Sequence, residues 1–349
     1  MKLKWWKILS ILLMAYVIIA GTLIPLKPGI YQVQQTKIIP YQTTILDVRG
    51  YNTHYDAAPT NAWLKLNNDQ LIPAISTQVL SSNQLKAEFL ITEDFVSQDK
   101  RNSNLTLIIE NQVDGYSLYP GGIRLGSGEQ AIPSGSKMAL QPLGVIHEAD
   151  DFKFPFRPIL HETIRNTFFH VAIWMSMFTL LLVSCFYSLV YLKNQDLDAD
   201  SKSSSLTMVG LYFGLAGLLT GSMWARFTWG TFWTNDIKLN MSAIAMMVYF
   251  AYGLLRNSIS DVDTRARVSS VYNIFAFVVL MILVMVIPRF SGSDSLHPGN
   301  GGNPAFGGED LDNTLRTIFY PAILAYTLLG FWMGELYYRY LKLEERSMA

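Results

Sequence analysis

Two rhythms of hydrophobic and polar positions alternate along this chain. Six stretches carry no acidic or basic side chain: residues 8–26, 166–192, 206–223, 239–255, 271–287 and 318–333. An α-helix needs about 20 mostly apolar residues to cross a bilayer. The pattern therefore predicts an α-helical integral membrane bundle of about six transmembrane helices. From residue 27 to about 160 the rhythm shortens to a period of two. Thr44 to Arg49, Leu85 to Ile91 and Leu105 to Glu110 alternate apolar with polar positions, the pattern of half-buried strands. Turn signals separate them at Ala57-Ala-Pro, Asn67-Asn-Asp, Asp114-Gly, Pro120-Gly-Gly and Pro133-Ser-Gly. This predicts an inserted β-sandwich-like domain, large enough to bury its own core.

The resulting division is a first transmembrane helix over 1–26, an extracytoplasmic β-rich domain over 27–160, a five-helix membrane region over 161–341 and a tail over 342–349. The first apolar run follows Lys2, Lys4 and Lys7, as in a signal peptide, but no small-x-small cleavage site follows it. An uncleaved span is expected. Between spans, polar linkers are expected over 193–205 and 256–267. Basic residues set the orientation. Lys193 and Lys202, Arg256, Arg265 and Arg267, and Arg339, Lys342 and Arg346 alternate onto the side of the N-terminal lysines. Both termini are therefore expected in the cytoplasm and the β-domain outside. The third span carries Gly210, Gly214, Gly217 and Gly221, a spacing that lets helices approach closely in lipid.

Composition narrows the chemistry. Only 15% of residues are charged, against about a quarter in soluble domains. The 27 basic and 27 acidic residues balance, so nothing favours a polyanionic partner. Cys185 is the only cysteine, which excludes intramolecular disulfides, thiolate zinc sites and a CxxC redox pair.

The densest aromatic stretch lies between the third and fourth spans and reads as a loop over 224–238. It holds Trp224, Arg226, Phe227, Trp229, Phe232, Trp233, Asp236 and Lys238. Counting spans puts it on the outer face together with His170, at the start of the second span, and His297, between the fifth and sixth. Two imidazoles suit the two axial positions of a heme iron. Tryptophans supply flat apolar faces and indole N–H donors, and Arg226, Lys238, Arg165 and Arg289 are candidate partners for propionates. Asp236 would fix the stretch by bonding its backbone or pairing with Arg226 or Lys238. A plainer reading stays open: interfacial tryptophan belts need no ligand, and His170 and His297 would then be packing and loop histidines. His54, His147 and His161 read as surface or turn histidines.

The stretch from Thr220 to Leu239, with Trp224, Trp229, Trp233 and Asp236, resembles the tryptophan-rich WWD signature of the cytochrome c assembly proteins, CcmC type. Arg165 to Met175, around His170, and Ser295-Leu-His-Pro, around His297, resemble that family's two histidine segments, and 255–261 resembles its cytoplasmic loop. The resemblance covers about residues 160–340 and the first span. It implies that His170 and His297 are the axial ligands of heme b, held at the outer face of a bacterial inner membrane. It also implies delivery to a heme chaperone with an ABC-type release complex, for cytochrome c maturation, without chemistry by this chain. Two departures stand out. Asn235 occupies a position where the family usually has tryptophan, and a β-domain replaces a short first outer loop. That domain could dock a heme chaperone or apocytochrome c, or act as a structural cap. The alternative is a CcsA-type cytochrome c synthase joining heme to apocytochrome c. That type resembles this chain in the tryptophan motif but typically carries histidines inside spans, which are absent here. A secondary transporter is a third class, disfavoured by spans with almost no internal charge.

Overall fold

The computed structural model describes residues 4–65, 70–91, 104–126, 141–142, 152–158, 160–290, 295, 297 and 311–348. The chain forms two compact units, Met1–Ile24 with Glu162–Ala349, and Pro25–His161.

The second unit is built from strands β1 (Gly29–Gln34), β2 (Lys37–Ile38), β3 (Thr44–Tyr51), β4 (Thr60–Lys65), β5 (Gln70–Pro73), β6 (Ser76–Ser81), β7 (Gln84–Phe89), β8 (Asn104–Asn111), β9 (Gly115–Leu125) and β10 (Gln141–Pro142). They form a four-stranded sheet, β1-β3-β7-β6, and a six-stranded sheet, β10-β5-β4-β8-β9-β2. Alternate residues of both sheets share one core: Leu46 and Val48 of β3 and Leu85, Ala87 and Phe89 of β7 with Leu64 of β4 and Leu107 and Ile109 of β8. All three period-two segments are strands. Asp114-Gly is the β8–β9 turn, with Gly115 at φ +70°. Pro120-Gly-Gly is not a turn between strands. It lies inside β9, where the register against β8 shifts between Leu105 and Leu107. Gly121 takes φ +59° there and its N–H donates to Thr106 Oγ1 at 3.3 Å. Glycine lets β9 absorb two extra residues as a bulge, and the strand continues. Asn67-Asn-Asp and Pro133-Ser-Gly lie outside the described residues.

The first unit holds α1 (Trp5–Leu23), α2 (His170–Asn194), α3 (Leu197–Trp229), α4 (Ile237–Ser258), α5 (Val262–Met281) and α6 (Asn313–Met348). Among the described residues, six helical segments are long and apolar enough to cross a membrane. The helices outrun their apolar cores. The expected linker over 193–205 shrinks to Gln195 and Asp196, because Asp196 caps α3 by accepting from Asp198 N–H at 2.9 Å. Likewise 256–267 shrinks to residues 259–261, with Asp261 accepting from Thr264 N–H at 2.8 Å. Bonds from Thr264 hold that carboxyl below its usual range. Charge alone does not end a helix; a cap does. The expected tail beyond 341 is helical to Met348 for the same reason.

Prolines disturb two helices. Pro288 sits just beyond a π-helical turn over Ile282–Val286 that leads into a short α-helix, Ile287–Phe290. Its missing N–H and ring both disrupt the α-helical ladder at Val284. In α6, Pro321 leaves the Thr317 carbonyl without its usual donor, and the Tyr16 hydroxyl of α1 donates to that carbonyl at 3.2 Å.

Helices α2 and α3 pack along the glycine stripe. A Cβ added at Gly210 would lie 2.6 Å from Leu181, and one at Gly217 2.7 Å from Trp174 Nε1. Polar groups reinforce the contact. Ser184 Oγ donates to the Ser203 carbonyl at 2.7 Å and Ser203 Oγ to the Ser184 carbonyl at 3.0 Å. Asn273 of α5 donates to Ser184 and Ser188, each at 2.9 Å. Buried charges are paired. Arg256 of α4 grips Asp200 of α3 in two bonds of 2.8 and 2.6 Å, and Lys7 of α1 reaches Glu335 of α6 at 2.9 Å. Removing one partner would strand a buried charge.

Gly217→Ala is expected to lower stability by about 1–3 kcal/mol through overpacking. Gly253, whose added Cβ would find only Met208 Sδ at 4.0 Å, is the control: Gly253→Ala is expected to be neutral or stabilising by about 0.5–1 kcal/mol. Thermal unfolding of the detergent-solubilised protein separates the two.

Candidate functional site

One end of the bundle gathers imidazole, indole and carboxylate side chains from α2, α3, the start of α4 and the segment after α5. His170 opens α2. Its ring lies against the backbone of α3: a Cβ added at Gly221 would be 2.6 Å from His170 Cε1. Only glycine leaves that cradle open. His170 Nδ1 lies 3.1 Å from Thr220 Oγ1. The Thr220 hydroxyl proton is engaged with its own helix, 2.9 Å from the Ala216 carbonyl. Thr220 therefore accepts from His170 Nδ1–H, and Nε2 keeps its lone pair.

The stretch 224–238, read from sequence as a loop, is helical over 224–229 and from Ile237, and only residues 230–236 form the loop. Nothing between Met223 and Trp229 breaks a helix, so α3 continues to Trp229 and ends at Gly230, with φ +82°. Trp224 and Trp229 thus ride on a rigid helix end, in edge-to-face contact with centroids 5.0 Å apart. His297 sits against both, with ring centroids 5.9 Å from Trp224 and 5.1 Å from Trp229. His170 and His297 lie against neighbouring turns of α3, His170 at Thr220 and Gly221 and His297 at Trp224.

Asp236 joins these parts. Buried, it caps α4, its Oδ1 accepting from Lys238 N–H at 2.8 Å. Its Oδ2 accepts from the Ser295 hydroxyl at 2.8 Å, and Ser295 Oγ accepts from His297 N–H at 3.2 Å. It makes backbone bonds as one sequence reading has it, but its side-chain partners include Ser295 and His297, a connection the sequence does not announce. His297 Nδ1 lies 3.3 Å from Asp236 Oδ1. That is ion-pair range without a hydrogen bond, and the buried nitrogen has no hydrogen-bond partner among the described residues.

The other sequence candidates have different neighbours. Trp233 is 43% exposed, and its Nε1–H donates to Asn240 Oδ1 at 3.1 Å. Asn240 in turn donates to Asn235 at 2.8 Å. The Asn235 position is thus a polar clasp closing the turn onto α4. Arg226 donates to the Gly230 carbonyl and lies 5.9 Å over the Phe232 ring. Lys238 stands in the first turn of α4. Arg165 spends one nitrogen on the last turn of α1, donating to the Gly21 and Ile24 carbonyls at 2.8 and 2.7 Å, and Nε on Glu162 at 2.6 Å. Arg289 turns back onto the Met285 carbonyl of its own helix. Leu296 and Pro298 lie outside the described residues, as does His147. In the β-unit, His54 Nδ1 pairs with Asp114 Oδ1 at 2.9 Å, and His161 packs among Tyr31, Tyr51 and Phe156.

Thr220, Gly221 and Ser295 escaped the sequence reading as site residues. Gly221 belonged to the glycine stripe, and its distance of four from Gly217 was the available signal for a ring seat. Among the described residues no three His, Cys, Asp or Glu side chains lie close enough to hold a bare metal ion. Two imidazoles beside paired indoles suit a metal already held in a planar chelate.

The model of the family CcmC, heme exporter protein C, matches residues 155–348. Over 172 residues the chain is 29% identical to heme exporter protein C of Bradyrhizobium diazoefficiens, covering 48% of this chain and 62% of that one. It is 27% identical over 124 residues to heme exporter protein C of Rhodobacter capsulatus, with coverages of 34% and 50%. The Escherichia coli K12 protein of the same name is 26% identical over 153 residues, covering 42% and 60%. The chain thus spans less than two thirds of the length of these relatives.

The indole walls control access to His297. Trp224→Ala or Trp229→Ala is expected to speed modification of His297 by diethyl pyrocarbonate several-fold, read by mass spectrometry, whereas Trp233→Ala leaves the rate at the wild-type value.

Proposed function

The chain belongs to the heme exporter protein C family, and from that premise we propose that it binds heme b at the outer face of a bacterial inner membrane and delivers it for cytochrome c maturation. The observation that carries this reading is that His170 lies against Thr220 and Gly221 of α3 while His297 lies against Trp224 and Trp229 of the same helix. In this reading heme is cargo, and its iron supplies two axial positions for nitrogen ligands. His170 offers Nε2, because Thr220 occupies Nδ1. His297 offers the second nitrogen. Trp224 and Trp229 present apolar walls that exclude water from the macrocycle. Arg226 and Lys238, on the helix ends that carry Trp224 and Asp236, meet the propionates. Arg226, Arg289 and Arg165 each donate to a backbone carbonyl, and Arg165 also holds Glu162, so Arg165 stands last in the order of candidates.

The residues here bind and release; none performs covalent chemistry on the heme. A synthase of the related type would hold a second heme within the membrane, and none of the five histidines lies in the middle of a span. The termini face the cytoplasm and the β-unit faces the periplasm, following the basic residues at the opposite helix ends. The receiving partner is a heme chaperone, with an ABC-type complex driving release. We further propose that the β-unit, which has a core of its own, docks that chaperone or apocytochrome c.

Purified protein is expected to carry heme with a low-spin absorption spectrum. His170→Ala and His297→Ala should each abolish the low-spin form, and a spectrum unchanged in both would remove the ligand assignment. Gly221→Ala, which pushes on the His170 ring, should weaken heme retention in the same direction. Deleting residues 40–155 should leave heme bound while c-type cytochromes fail to mature. Normal maturation in that strain would strip the β-unit of a handover role.

A further inference from the structure

The Asp236 carboxylate ties the start of α4 to the segment that carries His297. One oxygen caps α4. The other holds Ser295, and Ser295 in turn holds the backbone of His297. The Asp236 side chain is 2% exposed, and the Nδ1 edge of His297 faces it at 3.3 Å.

The chemistry of imidazole makes that contact directional. A neutral ring carries one proton. With the proton on Nε2, the Nδ1 lone pair would face a carboxylate oxygen, acceptor against acceptor, in a site with little water to screen it. With the proton on Nδ1, the N–H faces the carboxylate and the lone pair lies on Nε2, at the far edge of the ring. Carboxylates placed behind metal-bound histidines fix tautomer and orientation in this way and raise the basicity of the ligating nitrogen. Thr220 stands behind His170 in the same relation, but as a neutral hydroxyl.

We propose that Asp236 is a positioning residue for His297: it selects the Nδ1–H tautomer, aims Nε2 at the ligand, and makes His297 the more electron-donating of two unequal ligands. This rests on the heme reading above. Nδ1 and the carboxylate stand within ion-pair range without a hydrogen bond; on this proposal that bond forms as Nε2 takes its ligand.

The test uses the full-length protein with its heme, and the variant Asp236→Asn. Asparagine caps helices as well as aspartate does, so the fold and the Ser295 contact are retained while the charge behind His297 is lost. The expected result is heme still bound in the low-spin form, a reduction potential shifted upward relative to wild type, and altered EPR g-values. Ser295→Ala, which loosens the latch but keeps the charge, should shift the potential less. A wild-type potential and EPR spectrum in Asp236→Asn, with the low-spin form still lost in His297→Ala, overturns the proposal and leaves the heme reading standing. Absence of low-spin heme in the wild type overturns the reading itself. A second measurement needs neither variant folding nor heme. With 15N-histidine in the wild-type apoprotein, His297 should show its proton on Nδ1; a proton on Nε2 overturns the proposal.

Discussion

Close approach of α2 and α3 is the constraint on which the rest of the membrane unit depends. Glycines at 210, 217 and 221 leave room for Leu181, Trp174 and the His170 ring directly against the α3 backbone. Between helices in lipid, burial of apolar side chains gives little net drive, because the tails are equally apolar; close packing and hydrogen bonds must hold them. The same contact that binds the helices therefore seats the histidine. Lower down, the Ser184–Ser203 exchange and Asn273 lock the pair against α5. A bulky residue in this stripe would move His170 relative to Trp224, since both ride on the α2–α3 contact.

A second device completes the site from the other side. The segment after α5 has no helix to hold it at Ser295, and Asp236 supplies the anchor. A helix cap is a fixed point, because its carboxylate is bonded to the backbone of the helix it starts. Hanging Ser295 and His297 on that point ties a loop histidine to the start of α4. The two imidazoles thus reach one end of the bundle by different means, one by helix packing and one by a capping carboxylate.

The architecture was legible in the sequence where a period repeats. Uncharged runs of about 20 residues read as spans, and Leu85 to Ile91 read as a strand with Leu85, Ala87 and Phe89 inward. Counting spans brought His170, His297 and the tryptophans to one end. Boundaries were less legible. The linker over 193–205 and the stretch 224–229 looked like loops because they are charged or aromatic, but helix ends are set by Asp196 and Gly230. The long-range contacts were not legible. Asp236 and Ser295 are 59 residues apart, and no local pattern marks them as partners. Arg165 reads as a candidate anion partner from its place beside a span; that it also bonds the Gly21 and Ile24 carbonyls is visible only in the folded chain.

The central claim is that one iron is held between His170 and His297. Hyperfine spectroscopy of the ferric protein, grown with 15N-histidine, tests it most directly. The account predicts 15N couplings from two imidazole nitrogens on the same low-spin iron, one of them lost in each histidine variant. Coupling from a single imidazole, or from none, would contradict it.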